Sequence, residues 1–487
     1  MTHPRSVHDP TSDADTDMVD ERSDRRVATL TVPDRVGDRG GYDDRRCARG
    51  PDPGRTRVTD VVDVPHASIA QAMTKAIGAD DHRLERRNWW LHVLEAGMGI
   101  GFMGAINNNT VGTALVERLG GAPWMVALVP MLMIIGFSLG PLLNAHHLER
   151  KARFLPVLMR TMPWSRLSLP IIALALWLSG DGAWSLWIVL IGYLSFGLIG
   201  GLGTGAWQQM VAKTVPPAKR PGLLASRYLL ANLIGVGAGA LVTLILSLRP
   251  GLDGYALLHL IAFGGWMIAY ALLSRIREPH IAAPPVPPGH GLWRNLRTVP
   301  ELIAADRRLC WFLVSSALVS SQFLLVGFLA LHARRVLDAP ESYVGTLTTA
   351  QMVGAVAGML FAAWRGNHHG SHALLIVARA LFVATAVGAL VASSDWAFRL
   401  VFAAYGAAFW LNLVGHNAMA LELMPVARRA TVLAVFGAVG VPSMIIAAQL
   451  GAVLWHSGVP FAWIAALSVL GLVAALLTML PVRSCAR

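Results

Sequence analysis

Residues 123–145 read PWMVALVPMLMIIGFSLGPLLNA, contain no charged side chain, and are followed directly by HHLERK at residues 146–151. A helix needs about 20 apolar residues to cross a hydrocarbon core of roughly 30 Å. This stretch therefore predicts a transmembrane helix that ends at a short basic loop. Similar apolar runs recur along the chain, which predicts an all-α polytopic membrane protein.

The composition of the 487-residue chain agrees with this prediction. Hydrophobic residues make up 54% and charged residues 14% of the sequence, whereas soluble domains contain about 25% charged residues. These values exclude a disordered or fibrous protein and argue against a soluble enzyme. The cysteines Cys47, Cys310 and Cys485 are widely spaced, which excludes a disulfide framework and a four-cysteine zinc site.

The first 87 residues differ from the rest of the chain. They are rich in Asp, Arg, Gly and Pro and show no sustained periodicity. Such a segment cannot bury enough apolar surface to offset its ordering entropy, so residues 1–87 are predicted to be a disordered cytoplasmic tail. Translation that starts at Met73, without residues 1–72, is an open alternative.

Twelve membrane spans are predicted after this tail, in two groups of six. The N-terminal six-helix bundle covers residues 88–274 and the C-terminal one covers residues 308–483. A cytoplasmic linker at 275–307, which contains Pro284, Pro285, Pro287 and Pro288, separates them. The spans are predicted near 89–116, 123–145, 154–178, 184–210, 222–247, 254–274, 308–333, 342–365, 371–392, 396–420, 429–455 and 459–481.

The loop charges predict the orientation of the spans. Most Lys and Arg residues in the loops fall on one side, for example Lys213, Lys219 and Arg220, whereas few fall on the other side, for example Arg118 and Arg249. Because basic short loops remain in the cytoplasm, both termini are predicted to be cytoplasmic in an inner (plasma) membrane. The net charge of +12 is then a topology signal, and no nucleic-acid partner is expected.

The two halves repeat several local features. Pro217 and Pro425 occupy matching positions in the loops after spans four and ten, and a Gly-x-x-x-Gly pattern occurs at 136–140 and again at 354–358. Together these repeated features favour a duplicated six-helix unit.

This arrangement resembles the major facilitator superfamily over about residues 88–483. The family's loop between spans two and three has the form Gly-x-x-x-Asp-Arg-x-Gly-Arg-Lys. Here it reads Leu142-Leu-Asn-Ala-His146-His-Leu-Glu-Arg150-Lys151, which keeps the basic pair and departs at the Gly and Asp positions. Residues 88–166 resemble poorly characterised bacterial members. The resemblance implies two pseudo-symmetric six-helix bundles and transport by alternating access, and it names no substrate.

Polar residues within the spans are the candidates for solute binding, because they are costly in a membrane unless they line a cavity or pair with each other. The densest cluster is Asn107, Asn108, Asn109 and Thr110, which follows four glycines in span one. This composition predicts a helix break that lines the cavity. The alternative is that span one ends there and the asparagines cap it. Further candidate binding residues are Gln322, Gln351, Asn412 and His416.

Glu95 is the candidate proton-coupling residue. It is the one acidic residue clearly inside a span of the N-terminal half, and a desolvated carboxyl group suits a proton carrier. The alternative is a structural ion pair with Arg160 or Arg227, which are predicted at a similar depth.

Several charged residues near the cytoplasmic face are predicted to form a gate or ion-pair network. Binding of an anionic substrate is the alternative for Arg160, Arg227 and Arg379, and Arg166 would be the better anion ligand if it is buried. The predicted gate residues are Arg150, Arg160, Arg227, Arg379, Glu422 and Arg428.

The sequence contains no pattern of a cofactor site, a metal site or a catalytic centre. His146, His147, His368, His369 and His372 fall in equivalent loops without accompanying carboxylates or thiols, and they are interpreted as residues near lipid headgroups. Nothing resembles a set of nucleophile, base and orienting group, so an enzyme is not expected.

The sequence therefore predicts a monomeric secondary transporter in a lipid bilayer that moves a small-molecule substrate and is coupled to H⁺. Uptake of a polar metabolite is favoured by the asparagine cluster and Glu95. Export of an amphipathic, drug-like compound is favoured by the aromatic-rich spans. A sensor or assembly factor with a transporter-like fold is the third hypothesis.

Overall fold

The computed structural model describes residues 79–148, 151–280, 306–423 and 429–482. Every described residue belongs to one compact unit, Val62–Arg487. The described residues form helices and turns and no β-strand, which agrees with the predicted all-α class. Residues 1–78 of the predicted tail, residues 281–305 of the predicted linker, Arg150 and Arg428 lie outside the described residues.

The first half of the described chain begins with a helical run that is interrupted between Phe102 and Thr113. The α-helices in chain order are α1 (Ala79–Phe102), α2 (Thr113–Arg118), α3 (Pro123–Leu148), α4 (Leu155–Arg166), α5 (Ser168–Ser179), α6 (Ala183–Thr214), α7 (Arg220–Leu248) and α8 (Leu252–Leu273).

The second half contains one long helix with a sharp break. At Gly370 the backbone has φ 72° and ψ 178°, a left-handed conformation that glycine adopts without steric cost. The helices are α9 (Arg307–Leu318), α10 (Phe323–Val336), α11 (Tyr343–Val391), α12 (Asp395–Leu423), α13 (Arg429–His456) and α14 (Phe461–Met479).

Most of the predicted spans coincide with a single long apolar stretch of helix. Within the described chain, ten helical stretches are long and apolar enough to cross a membrane. Predicted span one lies within the interrupted run Ala79–Arg118, so residues 79–87, predicted to be part of the disordered tail, are helical. Predicted span eleven corresponds to α13, in which Gly440–His456 forms a shorter apolar helical stretch. The ten stretches thus coincide with the other ten predicted spans.

Two predicted spans change their helical geometry partway along. After α1, a 3₁₀ turn at Met103–Ile106 leads to Asn107, whose φ of −52° and ψ of 118° are not helical, and a π turn follows at Asn108–Gly112. A second 3₁₀ turn, Val319–Gln322, separates α9 from α10. The helix break predicted at the asparagines is therefore present, and span seven has an interruption that the sequence analysis did not predict.

The helices pack tightly where glycines remove side chains from the contact. A Cβ atom at Gly136 of α3 would collide with the backbone of Gly197 and Leu198 of α6. The same relation holds between Gly354 of α11 and the carbonyl group of Ala403 of α12. These are the glycines of the repeated Gly-x-x-x-Gly pattern, and small residues at such contacts let membrane helices approach closely.

The early and late helices meet along two main contacts, where α7 packs on α11 and α3 packs on α13. In the first contact, a Cβ atom at Gly239 of α7 would lie 2.6 Å from the backbone nitrogen of Thr349. Because no side chain separates the helices there, polar groups of α11 reach the interrupted span one.

We expect Gly406→Ala to lower the midpoint of thermal unfolding, because its Cβ atom would overlap the carbonyl oxygen of Gln351 in the α11–α12 contact. Overpacking of this kind costs about 1–3 kcal/mol. Gly237→Ala in α7 is the matched control, since nothing lies within 4 Å of its Cβ position. Equal midpoints for both variants in detergent would contradict the close contact.

Candidate functional site

Asn107 connects the interrupted span one to α11. Its side chain is buried, and its Nδ2 donates a hydrogen bond of 3.2 Å to Oε1 of Gln351. Its Oδ1 accepts a bond of 2.9 Å from the backbone N–H of Asn109, so it caps the turn that starts at Asn108. The chain then continues into α2, which shows that the asparagines do not end the span.

A second hydrogen bond joins the same two segments. The hydroxyl groups of Thr110 and Thr348 are 2.5 Å apart, and both residues are buried. The Thr348 hydroxyl donates to the carbonyl oxygen of Val344, so Thr110 is the donor in the pair. Thr110 belongs to the polar cluster that the sequence analysis singled out, whereas Thr348 was missed.

Two amide oxygens near these interruptions have no hydrogen-bond partner among the described residues. Oδ1 of Asn108 and Oε1 of Gln322 are both buried and unpaired. Gln322 ends the 3₁₀ turn between α9 and α10. A buried polar atom without a partner costs about 1–3 kcal/mol. Each oxygen could accept a hydrogen bond from a polar ligand, and the nearby Asn109 is half-buried.

Glu95 lies in a buried ion pair with Arg227. Its Oε2 is 2.7 Å from Nη1 of Arg227, and each side chain is 5% exposed. The same Nη1 donates to the carbonyl oxygen of His92 at 2.5 Å, and the ring of Trp207 lies 4.4 Å from Cζ of the guanidinium group. Of the two partners that the sequence left open, the structure selects Arg227, whereas Arg160 is exposed on α4.

His92 has a defined protonation pattern beside this ion pair. The hydroxyl group of Thr214 donates its proton to the carbonyl oxygen of Met210 at 2.8 Å. It therefore accepts a bond from Nε2–H of His92, which is 3.0 Å away. Nδ1 of the neutral imidazole is left as a buried acceptor without a partner among the described residues.

Arg379 of α11 belongs to a separate buried cluster. Its Nε donates to Oγ of Ser315 at 3.3 Å and its Nη1 donates to Oδ1 of Asn412. Asn412 and His416 are half-buried and lie one helical turn apart on α12. The imidazole ring of His416 stacks on Phe312 with centroids 4.9 Å apart. The structure thus brings Asn412 to Arg379 and places His416 beside them.

Arg166 is buried, as the sequence analysis considered. Its Nη1 donates to Oγ of Ser165 at 2.7 Å. Its Cζ lies 3.6 Å from the centroid of the Trp266 ring and 4.7 Å from that of Phe196. Aromatic faces attract a guanidinium group, and this attraction strengthens away from water. Arg166 is therefore held by two rings and a hydroxyl group.

Charged residues join the two sets of helices, α1–α8 of the first half and α9–α14 of the second half. These contacts lie near the C-terminal ends of α2 and α10. Oε1 of Glu117 is 2.8 Å from Nη2 of Arg335. Nη1 of Arg118 is 3.2 Å from Oε2 of Glu341, and Glu341 also accepts a bond of 3.0 Å from the hydroxyl group of Tyr255. The sequence analysis missed these pairs, because it used Arg118 only as a topology signal and did not consider Glu117 or Glu341.

The remaining predicted gate residue with a described position is Glu422, which is exposed near the end of α12. The side chains of His146, His147, His368 and His369 lie outside the residues described in full. Nε2–H of His372 donates a hydrogen bond of 3.0 Å to the carbonyl oxygen of Met479, so this nitrogen carries a proton. No group of three or more metal-ligating side chains occurs within the described part of the chain.

Several solved structures with similar folds are transporters. The nucleoside transporter NupG matches with a TM-score of 0.61 at 12% identity, over 82% of this chain and 99% of that chain. The peptide transporter POT matches with a TM-score of 0.59 at 12% identity, over 83% and 98%. The D-xylose–proton symporter matches with a TM-score of 0.58 at 17% identity, over 80% and 96%. This chain has the major facilitator fold.

The major facilitator fold confirms the predicted all-α polytopic class, and ten of the twelve predicted spans coincide with described helices that are long and apolar enough to cross a membrane. No protein-family model matches the sequence, and no curated protein matches it significantly. Because the structural matches are at low identity, the major facilitator fold is what they establish, and the solute must be argued from the side chains of this chain.

Proposed function

We propose that this protein is a secondary active transporter that moves a small polar solute across a plasma membrane by alternating access, coupled to H⁺. The observation that carries the proposal is the polar contact between Asn107 and Gln351. It joins the interrupted span one to α11, beside the buried and unpaired oxygen of Asn108. Transporters of this kind bind their solutes near the bilayer midplane at interrupted helices between the two repeats.

The chemistry of these side chains favours a polar solute. Amide and hydroxyl groups dominate the contact, through Asn107, Gln351, Thr110 and Thr348. A solute with hydroxyl or amine groups could replace the hydrogen bonds that these residues make with each other. Two of the similar structures are described as a nucleoside transporter and a D-xylose–proton symporter, and their solutes are rich in such groups.

Glu95 supports the proposed H⁺ coupling. It is the one acidic residue buried in the described helices, and protonation of its carboxyl group would remove the charge that holds Arg227. A proton on Glu95 would therefore change the ion pair between α1 and α7. His92 offers a neighbouring buried nitrogen acceptor at Nδ1, through which a proton could approach.

The proposed architecture retains the domain organisation inferred from the sequence. The bundles cover residues 88–274 and 308–483, the linker covers residues 275–307, and both termini are cytoplasmic. A monomer is sufficient, because the polar contact and both ion-pair clusters are complete within one chain. The ion pairs of Glu117 and Glu341 then close the pathway on the side opposite the cytoplasm.

The function is tested by reconstituting the full chain into proteoliposomes with an inward proton gradient. A panel of labelled sugars, nucleosides, amino acids and carboxylic acids is supplied, and solute accumulation is measured with and without a protonophore. Accumulation of a polar solute that the protonophore abolishes would support the proposal. Binding of polar solutes without any flux would instead favour a sensor.

Export of an amphipathic compound is the second candidate function. It is favoured by an apolar patch between the two sets of helices, where the rings of Tyr228 and Trp410 lie 5.1 Å apart. Met359 and Ile100 belong to the same cluster. Stabilisation by lipophilic cations alone, with no response to polar solutes, would favour this function over uptake.

We expect Glu341→Gln to shift the protein towards conformations open at the Glu117–Glu341 end. The substitution weakens the bonds from Arg118 and Tyr255, and hydrogen bonds to charged groups contribute about 1.5–3 kcal/mol each. Nitroxide labels at Leu248→Cys and Val336→Cys, in a background without the native cysteines, should show a larger fraction of long distances.

Asp395→Asn provides the control for this experiment. Asp395 pairs with Arg399 at 2.7 Å within α12, so its ion pair does not join the two sets of helices. Its distance distribution should equal that of the parent protein. Equal distributions for Glu341→Gln and Asp395→Asn would contradict the proposed closing role of Glu341.

A further inference from the structure

The buried charges of the described helices do not balance. Glu95 is the one buried acidic residue of these helices, whereas Arg166, Arg227 and Arg379 are all buried in them. The buried carboxylate of Glu278, which follows α8, pairs with Lys213. Glu95 compensates Arg227, and the rings of Trp266 and Phe196 cover Arg166 (the cation–π contacts described above). Arg379 has neither an ion pair nor a cation–π contact with any described residue. It is therefore the buried guanidinium group whose charge lacks compensation.

The hydrogen bonds of Arg379 are also incomplete. Ser315 donates its own proton to the carbonyl oxygen of Ala475 at 2.7 Å and accepts the bond from Nε of Arg379. Asn412 accepts the bond from Nη1, and Nη2 is buried without a partner among the described residues. A guanidinium group presents its N–H donors as a fork that matches a carboxylate or phosphate group. The missing partner is thus an acceptor, and the missing charge is negative.

Neighbouring residues place this unpaired donor next to accessible polar groups. Arg379 is fully buried, but Asn412 and His416 are half-buried on one face of α12. Oδ1 of Asn412 faces Arg379, which leaves its Nδ2 as a second donor. Ser316 lies 3.5 Å from Nδ1 of His416. An oxyanion at this position would meet several donors and no carboxylate among the described residues.

We propose that the transported solute carries a carboxylate or phosphate group and that Arg379, with Asn412, binds this group. This inference rests on the proposed transport function and specifies the class of solute. Arg379, hydrogen-bonded to Ser315 and Asn412, supplies the charge that selects an anion. The sequence analysis placed Arg379 in a gate network and named anion binding as the alternative, which the unpaired Nη2 atom now favours.

The test uses the purified full chain in detergent without added lipid and probes matched in carbon skeleton. The probes are glycerol with glycerol 3-phosphate, glucose with glucose 6-phosphate, and inorganic phosphate alone. A ligand that binds only the folded protein raises the midpoint of thermal unfolding. We expect the phosphorylated probes and inorganic phosphate to raise the unfolding midpoint, and the neutral probes to shift it at least tenfold less. In Arg379→Gln, the phosphorylated and neutral probes should have the same effect.

Asn412→Asp keeps the test decisive if Arg379→Gln does not fold. Its carboxylate would pair with Arg379 inside the protein and occupy the position of the solute's anionic group. We therefore expect Asn412→Asp to raise the unfolding midpoint of the unliganded protein and to abolish the response to phosphate. A lower midpoint together with an unchanged phosphate response would overturn the proposal.

The remaining outcomes separate this inference from the transport function. If neutral probes bind as tightly as the phosphorylated ones and Arg379→Gln responds normally, the solute is not selected by charge, although polar-solute transport stands. If no soluble probe shifts the midpoint and only added phosphatidylglycerol does, Arg379 binds a lipid headgroup and the proposal is wrong. If no probe and no lipid shifts it, Arg379 is structural and the proposal is also wrong.

Discussion

Glu95→Gln is expected to abolish proton-driven accumulation of the solute while downhill exchange of the same solute continues. Glutamine keeps the size of the side chain but cannot bind and release a proton. The carboxyl group of Glu95 is buried against Arg227, and acidic residues within membrane helices are among the groups that form proton relays. In proteoliposomes with an inward proton gradient, the ratio of internal to external solute should fall to about 1.

Glu422→Gln is the matched control, because Glu422 is exposed and its substitution should leave accumulation unchanged. Loss of accumulation in both variants would show that the assay responds to expression or insertion rather than to coupling. Wild-type accumulation in Glu95→Gln would contradict the proposed role of Glu95.

The alternative role of Glu95, a structural ion pair, is separated by a second substitution. Removing one partner of a buried pair costs about 3–5 kcal/mol, because the other charge remains buried and unpaired. The double variant Glu95→Gln/Arg227→Gln removes both charges and should recover much of this stability. If it also recovers accumulation, the pair is structural. If it recovers stability and exchange without accumulation, Glu95 carries the coupling.

The sequence predicted the features that depend on neighbouring residues. Apolar runs located the helices, as in residues 123–145, which fall within α3. Four glycines followed by three asparagines predicted the break after α1, because neither residue type favours a helix interior. The interruption at Val319–Gln322 was missed, since this segment contains no glycine or proline and its geometry depends on contacts with α13 and α14.

The sequence could not select partners on different helices. Arg160 and Arg227 were equally plausible partners for Glu95, because hydropathy gives the depth of a residue but not the direction in which its helix turns it. The structure places Arg227 on the face of α7 that packs on α1, while Arg160 is exposed. Arg379 and Asn412 were both selected as candidates, but their contact across α11 and α12 joins residues 33 positions apart, and hydropathy does not give the direction in which either side chain points.

Glu117 and Glu341 were missed for a different reason. They lie at helix ends, where acidic residues are usually solvated and where topology depends on Lys and Arg rather than on Asp and Glu. Their role becomes visible only when the loops of the two sets of helices meet, as in the contact between Arg118 and Glu341. A pattern search within one half of the chain cannot detect such a pair.

Asn107→Ala is expected to weaken binding of the polar solute about 10- to 100-fold, while the fold is retained. The substitution removes the donor to Gln351 and the cap of the turn at Asn109. Lost hydrogen bonds and unpaired buried groups of this kind cost about 1–3 kcal/mol, and 1.4 kcal/mol corresponds to a factor of ten in affinity. The dissociation constant is measured by isothermal titration calorimetry with the solute identified in the transport panel.

Two further variants distinguish solute recognition from helix contact. The exchange Asn107→Gln/Gln351→Asn keeps one amide on each side and should bind more tightly than Asn107→Ala. Thr110→Val breaks the other hydrogen bond between the same segments without removing an amide, so it should change the unfolding midpoint more than the affinity. If Thr110→Val weakens binding as much as Asn107→Ala, the contact between span one and α11 serves only to hold the two segments together. The amide groups would then lose their role in recognition, and the apolar patch of Tyr228 and Trp410 would become the better candidate for the binding surface.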